Sequence, residues 1–498
     1  MKKAIRFTPE DTVAVALEGL FPGASLEIGG EKRPYTVKEA IPEGHKVADR
    51  NILKGEPVIK YGHVIGTAVC DIPEGSYVHI HNVRDSVADW SGKLTDYNPA
   101  TVTEISEDLR LSELPKLTGY RRKNGMVGFR NHLLVLSTTV CANQPVEMLG
   151  AKYPEIVCVT NPSGCVILPN EVERLKAILL GLSRNPNVGA VVFVGLGCES
   201  VESQWFYEEM KEEKPAAYIR CQSEGSTAAA YEELERIALN MLENLRKEKR
   251  QEASVADIRL GSKCGASDWT TAAASNPAIG YCSDLVVKNG GISIIGETTG
   301  WFGGEEILVH QARSRKIAED ILELMQDIYQ RALAVGRRIE EGNPTPGNHS
   351  GGITTLTEKA LGNVKKGGTA PIEGVLRVGE APGTPGFYVS DNPGLDPISL
   401  LTLTCSSANV LLYSTGRGTP VGTPVAPAIK LTGSPSAQAV FGYHNDVDIT
   451  GIVRGEMTVE EAGKLLFETV VRVANGEECI AEKGRHREFA FPLLMAPL

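Results

Sequence analysis

The 498-residue sequence predicts a multidomain α/β protein that opens with a small β domain, and three observations predict it. Residues 5–92 hold short β-rich runs broken by glycine turns, with no stretch of helical period. From residue 119 onward, apolar runs of a few residues alternate with amphipathic segments, the pattern of parallel strands buried on both faces. The chain is too long for one ordinary core, and its 42% hydrophobic content supplies several interiors.

In the first block, strands are expected over 12–15, 57–61 and 77–81, between turns at Pro22-Gly23, Gly29-Gly30, Glu43-Gly44, Lys54-Gly55 and Glu74-Gly75. Residues 93–118 are polar and aperiodic around Pro99 and Pro115, as a linker is. Residues 119–252 form a first α/β unit, with strands over 133–136 and 190–194 and helices over 171–182 and 228–247. The Lys/Glu-rich run 246–252 separates it from residues 253–498, where strands are expected over 285–287, 292–295 and 409–413 and a long helix over 305–340.

The formal charge of −11, without a basic stripe, argues against a nucleic-acid partner. No apolar run is long enough to span a membrane and no secretory h-region follows the basic start, so a soluble cytoplasmic protein is expected. Ten cysteines are too few for a disulfide scaffold, which leaves thiols free for chemistry or metal. The chain lacks G-x-x-x-x-G-K-[ST] and a strand-G-x-G-x-x-G-helix unit, so no nucleotide cofactor is expected; it also lacks G-x-S-x-G and H-E-x-x-H.

Five cysteines, Cys141, Cys165, Cys198, Cys264 and Cys405, stand beside glycine or small polar residues, where a turn tip would let a thiol reach a metal or substrate. None of them has C-x-x-C spacing with another, so only the fold can bring them together. His45 follows a turn, while His79 and His81 are two apart on an expected strand and would share a face, fit for a metal or a carboxylate or simply solvated. The Gly/Pro-rich tract 343–355 carries Asn348 and His349 among many donors. In Ser414-Thr415-Gly416-Arg417-Gly418-Thr419-Pro420, Thr415 and Arg417 fall at a strand's C-terminal end, where open α/β sheets bind ligands and an Arg suits a carboxylate or phosphate. Asp268 and Glu297 follow a turn and a strand, as metal ligands, bases or helix caps do.

Taken in order, Gly44-His45-Lys46, Ile59-Lys60-Tyr61-Gly62, Val78-His79-Ile80-His81-Asn82, Gly128-Phe129-Arg130-Asn131, Gly195-Leu196-Gly197-Cys198-Glu199, Gly351-Gly352-Ile353-Thr354-Thr355-Leu356 and Ser414–Pro420 resemble the altronate/galactarate dehydratase family. The resemblance runs from about residue 10 to 480. It implies an SAF-like β-clip domain (1–92), a linker (93–118), a middle α/β domain that dimerises (119–252) and a Rossmann-like metal-binding catalytic domain (253–498). It also implies a hydro-lyase that turns a sugar acid into a 2-keto-3-deoxy acid and uses Fe2+, with Mn2+ or an iron–sulfur cluster as alternatives.

Under that resemblance, Cys165, Cys198, Cys264, Asp268 and Cys405 are expected around the metal. Arg130, Asn131, Asn348, His349, Thr415 and Arg417 are expected on the substrate, and His45, His79, His81 and Glu297 in proton transfer. One departure stands out: where relatives resemble His-x-Tyr-Gly-Cys, this chain has Asn161-Pro162-Ser163-Gly164-Cys165. The change keeps two other readings in view, a sulfolactate sulfo-lyase and a non-catalytic sugar-acid binder. The fusion of the β-clip to the catalytic parts favours the sugar-acid dehydratase.

Overall fold

The computed structural model describes residues 2–28, 31–85, 87, 91, 94 and 97–491. The expected Gly29-Gly30 turn and the domain edge at residue 92 lie outside the described residues. The N-terminal domain pairs a six-stranded sheet, in the order Glu31–Thr36, Ser25–Ile28, Lys2–Ile5, Val13–Ala16, Lys46–Ala48 and Tyr77–Val78, with a three-stranded antiparallel sheet of Pro57–Lys60, His63–Ala68 and Val83–Arg84. The turn glycine Gly44 has φ of +79°, a conformation open to glycine and strained for other residues. The strand expected to reach residue 81 stops at Val78, because Asn82 folds back to take the His79 N–H at 2.9 Å and make a turn. His79 is therefore buried and His81 exposed, and they do not share a face.

The stretch expected as a free linker is tied down. Ile105 is buried with Trp301 and Phe302, and the Tyr97 hydroxyl donates to the Ala312 carbonyl at 2.9 Å. Its last residues begin the strand Leu117–Arg121, which lies between Val127–Gly128 and Gln251–Ala253. This clasp closes the middle domain where the chain enters and leaves it. Inside, four parallel strands stand in the order Val157–Val159, His132–Ser137, Val188–Gly195 and Ala216–Arg220, with helices Asn143–Lys152, Pro169–Arg184, Ser203–Met210 and Thr227–Lys247 around them.

The C-terminal sheet has seven parallel strands in the order Ile372–Leu376, Gly386–Ser390, Ile292–Ile295, Arg259–Gly265, Val410–Thr415, Ala428–Thr432 and Val447–Asp448. The chain starts at the central strand Arg259–Gly265, builds one side, then returns to build the other from Val410–Thr415. Those two strands flank the topological switch point, whose C-terminal crevice is the ligand position of such sheets. Two expected elements differ. Residues 285–287 belong to the helix Asn276–Lys288, whose buried face makes a short apolar run that sequence cannot tell from a strand. The expected long helix is two, Glu305–Gln311 and Arg315–Ala334, because Ser314 caps the second by accepting the Ile317 N–H.

Buried asparagines join the middle and C-terminal domains. Asn187 accepts from the Phe129 and Arg130 N–H groups and donates to the Asn409 and Val425 carbonyls at 3.0 and 3.1 Å. Asn185 donates to the Thr404 and Ala408 carbonyls, both at 2.8 Å. Truncation at residue 187 orphans four buried backbone groups. Asn187→Ala is expected to lower stability by about 2–4 kcal/mol, measured as an earlier urea midpoint, since each abandoned buried partner costs on the order of 1 kcal/mol or more.

Candidate active site

At the switch point lies a cleft of about 540 Å3, lined among others by Lys263, Cys264, Glu297, Lys359, Asn363 and Asp396. Lys263 and Cys264 end the central strand, and Glu297 follows the neighbouring strand with φ of +70°, which turns its carboxylate back toward them. That carboxylate accepts from Lys263 Nζ and Lys366 Nζ, each at 2.5 Å, and from the Cys264 N–H at 3.0 Å. Lys366 Nζ also donates to Cys264 Sγ at 3.2 Å and to Asn363 Oδ1, and Lys263 Nζ lies 3.0 Å from Asp396 Oδ1. Burial alone would raise the Glu297 carboxyl, but the two lysines outweigh it and bring it down to about 2. Glu297 is thus an anchored anion and a poor base, which corrects the proton-transfer role expected for it.

The group placed to move protons is Lys359. It projects from the helix Leu356–Asn363 into the cleft and donates only to amide oxygens among the bonds described, Asn343 Oδ1 at 2.6 Å and Asn348 Oδ1 at 3.0 Å. Burial lowers its pKa, with the Glu297 carboxylate opposing. A lysine without a carboxylate in its hydrogen bonds, at the wall of a cleft and with its pKa lowered by burial, gives up its proton more readily than an exposed one and is placed to exchange it with a ligand.

The N-terminal domain closes over the same helix. Lys46 Nζ and Lys60 Nζ, both fully buried, reach Glu358 at 2.9 and 2.7 Å, and Lys46 Nζ donates to the Gly352 carbonyl at 2.7 Å. The two lysines overcome the burial that would otherwise raise Glu358, and its carboxyl falls to about 2. Gly352, at φ of +89°, lies so close to Gly44 that a Cβ would meet the Gly44 carbonyl oxygen at 2.1 Å. Glycine at position 352 is needed for this approach. His45 is hydrogen-bonded to the Ser350 carbonyl at 3.2 Å and to the Tyr77 hydroxyl at 2.7 Å, and His79 to the Thr354 hydroxyl at 2.9 Å. The His45 and His79 rings are 4.9 Å apart and His349 is 5.9 Å from His79. Burial, with Lys46 beside it, pushes His79 down to about 3, so it is neutral and fixed. Burial lowers His45 as well.

The remaining expected residues divide sharply. Asn348 is in the cleft wall and donates to the Ser267 carbonyl at 2.9 Å, and Arg417 reaches across from its loop to the Gly347 carbonyl at 2.8 Å and the Ser350 hydroxyl. Thr415 accepts the Gly418 N–H at 2.9 Å and shapes that loop. Asp268, which burial raises to about 6, spends Oδ1 on the Thr270 and Thr271 N–H groups as a helix cap. Arg130 is elsewhere, paired with Glu482 at 2.6 Å and donating to the Val473 carbonyl, and Asn131 donates to the Leu245 carbonyl. Arg130 braces the seam between the middle and C-terminal domains and Asn131 braces the inside of the middle domain, both away from the cleft lining, which corrects the expectation that they hold substrate.

The four cysteines expected around one metal do not meet. Cys264 is in the cleft, Cys165 and Cys198 are in the middle domain, and Cys405 ends the helix Asp396–Cys405 with its thiol on the Ile178 carbonyl at 3.5 Å. Cys405 is core, because Gly181 of the facing helix leaves room only for that close packing. Among the described residues no three His, Cys, Asp or Glu side chains converge to hold a single ion. The set Cys165, Cys198, Cys264, Asp268 and Cys405 expected around the metal is therefore divided between separate places in the fold and does not form one site.

Sequence reasoning missed the lysines and Glu358. Lys46 and Lys60 lay inside Gly44-His45-Lys46 and Ile59-Lys60-Tyr61-Gly62, and a lysine inside an apolar strand was the signal available. Replacing Glu297 by Gln leaves Lys366 buried without its anion and Lys263 with Asp396 alone. Glu297→Gln is expected to cost about 3–5 kcal/mol, read by urea unfolding at neutral pH. Because the folded carboxyl is held at about 2, below its ordinary value near 4.5, its contribution is full above the unfolded value and fades as pH falls toward 2. The gap between variant and parent should narrow over that window.

Comparison with known proteins agrees with this architecture. The SAF domain of altronate/galactarate dehydratases matches residues 2–86, the second domain of D-galactarate dehydratase/altronate hydrolase matches 119–246, and the C-terminal domain of D-galactarate/altronate dehydratase matches 255–495. The altronate dehydratase of Escherichia coli (strain K12) is 32% identical over 96% of this chain and 97% of its own length, and that of Bacillus subtilis (strain 168) is 30% identical over 98% of each. The (2R)-sulfolactate sulfo-lyase subunit beta of Chromohalobacter salexigens is 32% identical over 76% of this chain and 97% of its own. With all three domains matched in order and whole-length relatives at that identity, this chain belongs to the altronate/galactarate dehydratase family.

Proposed function

We propose that this protein is a hydro-lyase that dehydrates a sugar acid, an altronate-like aldonate or an aldarate, to a 2-keto-3-deoxy acid. The observation that carries the reading is the cleft at the switch point, where open α/β sheets bind ligands and whose wall presents the Lys359 amine aimed by Asn343 and Asn348, with Lys263 beside it. A cation in that wall stabilises the charge that builds on a substrate carboxylate when the α-proton leaves. Lys359, as a neutral amine, takes the C2 proton. A C2–C3 double bond forms as the C3–O bond breaks, and the Lys359 ammonium returns its proton to the departing hydroxide, which leaves as water. The enol then tautomerises to the ketone, so the step needs no redox partner. Asn343 and Asn348 aim the amine, and the neutral His79 and His45 hold the tract that bears Asn348.

Relatives named altronate dehydratase over their whole length favour water as the leaving group. The sulfo-lyase relative gives a second reading, in which sulfite leaves instead. Among the described residues no helix is long and apolar enough to cross a membrane, and the ten cysteines are unbonded thiols, which suits a cytoplasmic enzyme.

Incubation with altronate, galactarate and sulfolactate, scoring 2-keto acid and sulfite, separates the readings. Keto acid without sulfite is expected, and sulfite release would overturn the dehydratase. Because burial lowers the Lys359 pKa and the neutral amine is the reactive form, kcat/KM should climb with pH through that pKa. Lys359→Met should cut kcat by about 10²–10⁴ and remove the limb. A variant with the parent's kcat and pH limb would take Lys359 out of the chemistry.

A further inference from the structure

Every parallel strand of the middle sheet is followed at its C-terminal end by a cysteine: Cys165 after Val157–Val159, Cys141 after His132–Ser137, Cys198 after Val188–Gly195 and Cys221 after Ala216–Arg220. Neighbouring strands stand about 4.8 Å apart, so the fold gathers thiols from distant sequence positions along one edge. Backbone bonds stitch the loops together, from the Val140 N–H to the Ser163 carbonyl at 2.7 Å and from the Ser200 N–H to the Gly164 carbonyl at 2.9 Å. The Cys165 thiol lies 3.9 Å from the Cys198 carbonyl oxygen, and Gln222 donates to Cys198 Sγ at 3.7 Å. Cys141 and Cys198 are exposed and Cys165 is half-buried, whereas Cys221 packs against the apolar core under Thr227–Lys247.

A second observation points to a ligand at this edge. The hydroxyls of Thr139 and Ser163, 1% and 4% exposed, have no hydrogen-bond partner among the described residues, and each stands two residues before a cysteine, Cys141 and Cys165. A buried hydroxyl left unpaired costs stability unless something absent from the chain itself receives it. The loops are otherwise fully engaged. Glu199 Oε2 gathers the Leu196, Gly197 and Cys198 N–H groups at 3.1, 2.6 and 3.0 Å, and Asn161, fully buried, accepts the Ser163 N–H and donates to the Thr138 carbonyl, both at 2.9 Å. The Asn that replaces the family's His therefore shapes this cysteine loop and is absent from the cleft lining.

We propose that Cys141, Cys165 and Cys198 hold an iron–sulfur cluster at this edge, with the Thr139 and Ser163 hydroxyls donating to its sulfurs. Among the described residues no three donors converge as one ion requires, whereas a multi-iron cluster spreads its thiolates over a wider frame. Hydroxyl donors beside such a cluster set its potential. The cluster does not depend on which acid the cleft accepts.

Full-length protein purified anaerobically from iron-supplied cells is assayed for iron, acid-labile sulfide and the visible absorbance of thiolate-bound iron. Sulfide matching iron is expected. Cys141→Ser, Cys165→Ser and Cys198→Ser should each lower both by at least about tenfold while the far-ultraviolet circular dichroism is kept. Cys70→Ser and Cys264→Ser should leave both unchanged. Ser163→Ala should keep the cluster and shift its reduction potential. Iron without sulfide, absence of both, or equal loss in Cys264→Ser would overturn the proposal.

Discussion

The buried triad of Lys46, Lys60 and Glu358 is the interaction on which the rest of the architecture depends. Two lysines from the N-terminal domain are taken wholly out of water, and a single carboxylate of the catalytic domain receives both. Such groups are costly to bury apart, by several kcal/mol per ion, and tolerable only when paired and hydrogen-bonded. The β domain therefore has one low-energy seating, with Gly44 against Gly352 and Lys46 on the Gly352 carbonyl. That seating fixes the tract bearing Asn348 and His349, whose own regular structure is the short helix Pro346–Ser350.

The same helix serves two clusters. Glu358 faces the N-terminal domain, while Lys359 and Asn363 face the cleft, and the turn Val364–Gly367 that follows supplies Lys366 to Glu297. Asp85 adds a further tie by accepting the Leu356 N–H at 2.5 Å and the Thr357 hydroxyl at 2.9 Å. Displacement of the β domain is thus felt at Lys359, one residue from Glu358, and catalytic geometry and domain closure become one property.

Fold class was legible because strand and helix alternate with different apolar periods, as in the buried strand Val188–Gly195 and the helix Thr227–Lys247 with its single apolar face. Residues 285–287 were misread because a helix buried on most sides loses its polar face. The site was legible in part. The loop after Val410–Thr415 and the 343–355 tract come to the switch point as expected of strand ends and glycine-rich turns, but Arg130 braces a domain seam and Asn131 the inside of the middle domain. The buried lysines carried only a faint signal, since lysine is ordinarily exposed and only tertiary pairing with Glu297 and Glu358 makes its burial possible. Cys165 and Cys198 were legible as loop residues, whereas Cys405 ends a buried helix and Cys264 belongs to the central strand; the grouping of the rest follows from which sheet each strand joins, and one sequence does not reveal that.

The composite nature of the site is most directly tested by hydrogen exchange on full-length Glu358→Gln. Loss of the anion should leave Lys46 and Lys60 unpaired, unseat the β domain and raise exchange together at residues 44–48 and 351–356, with the middle sheet unchanged. Unaltered protection at both segments in a folded variant would contradict the account, because the β domain would then be held by something other than the triad.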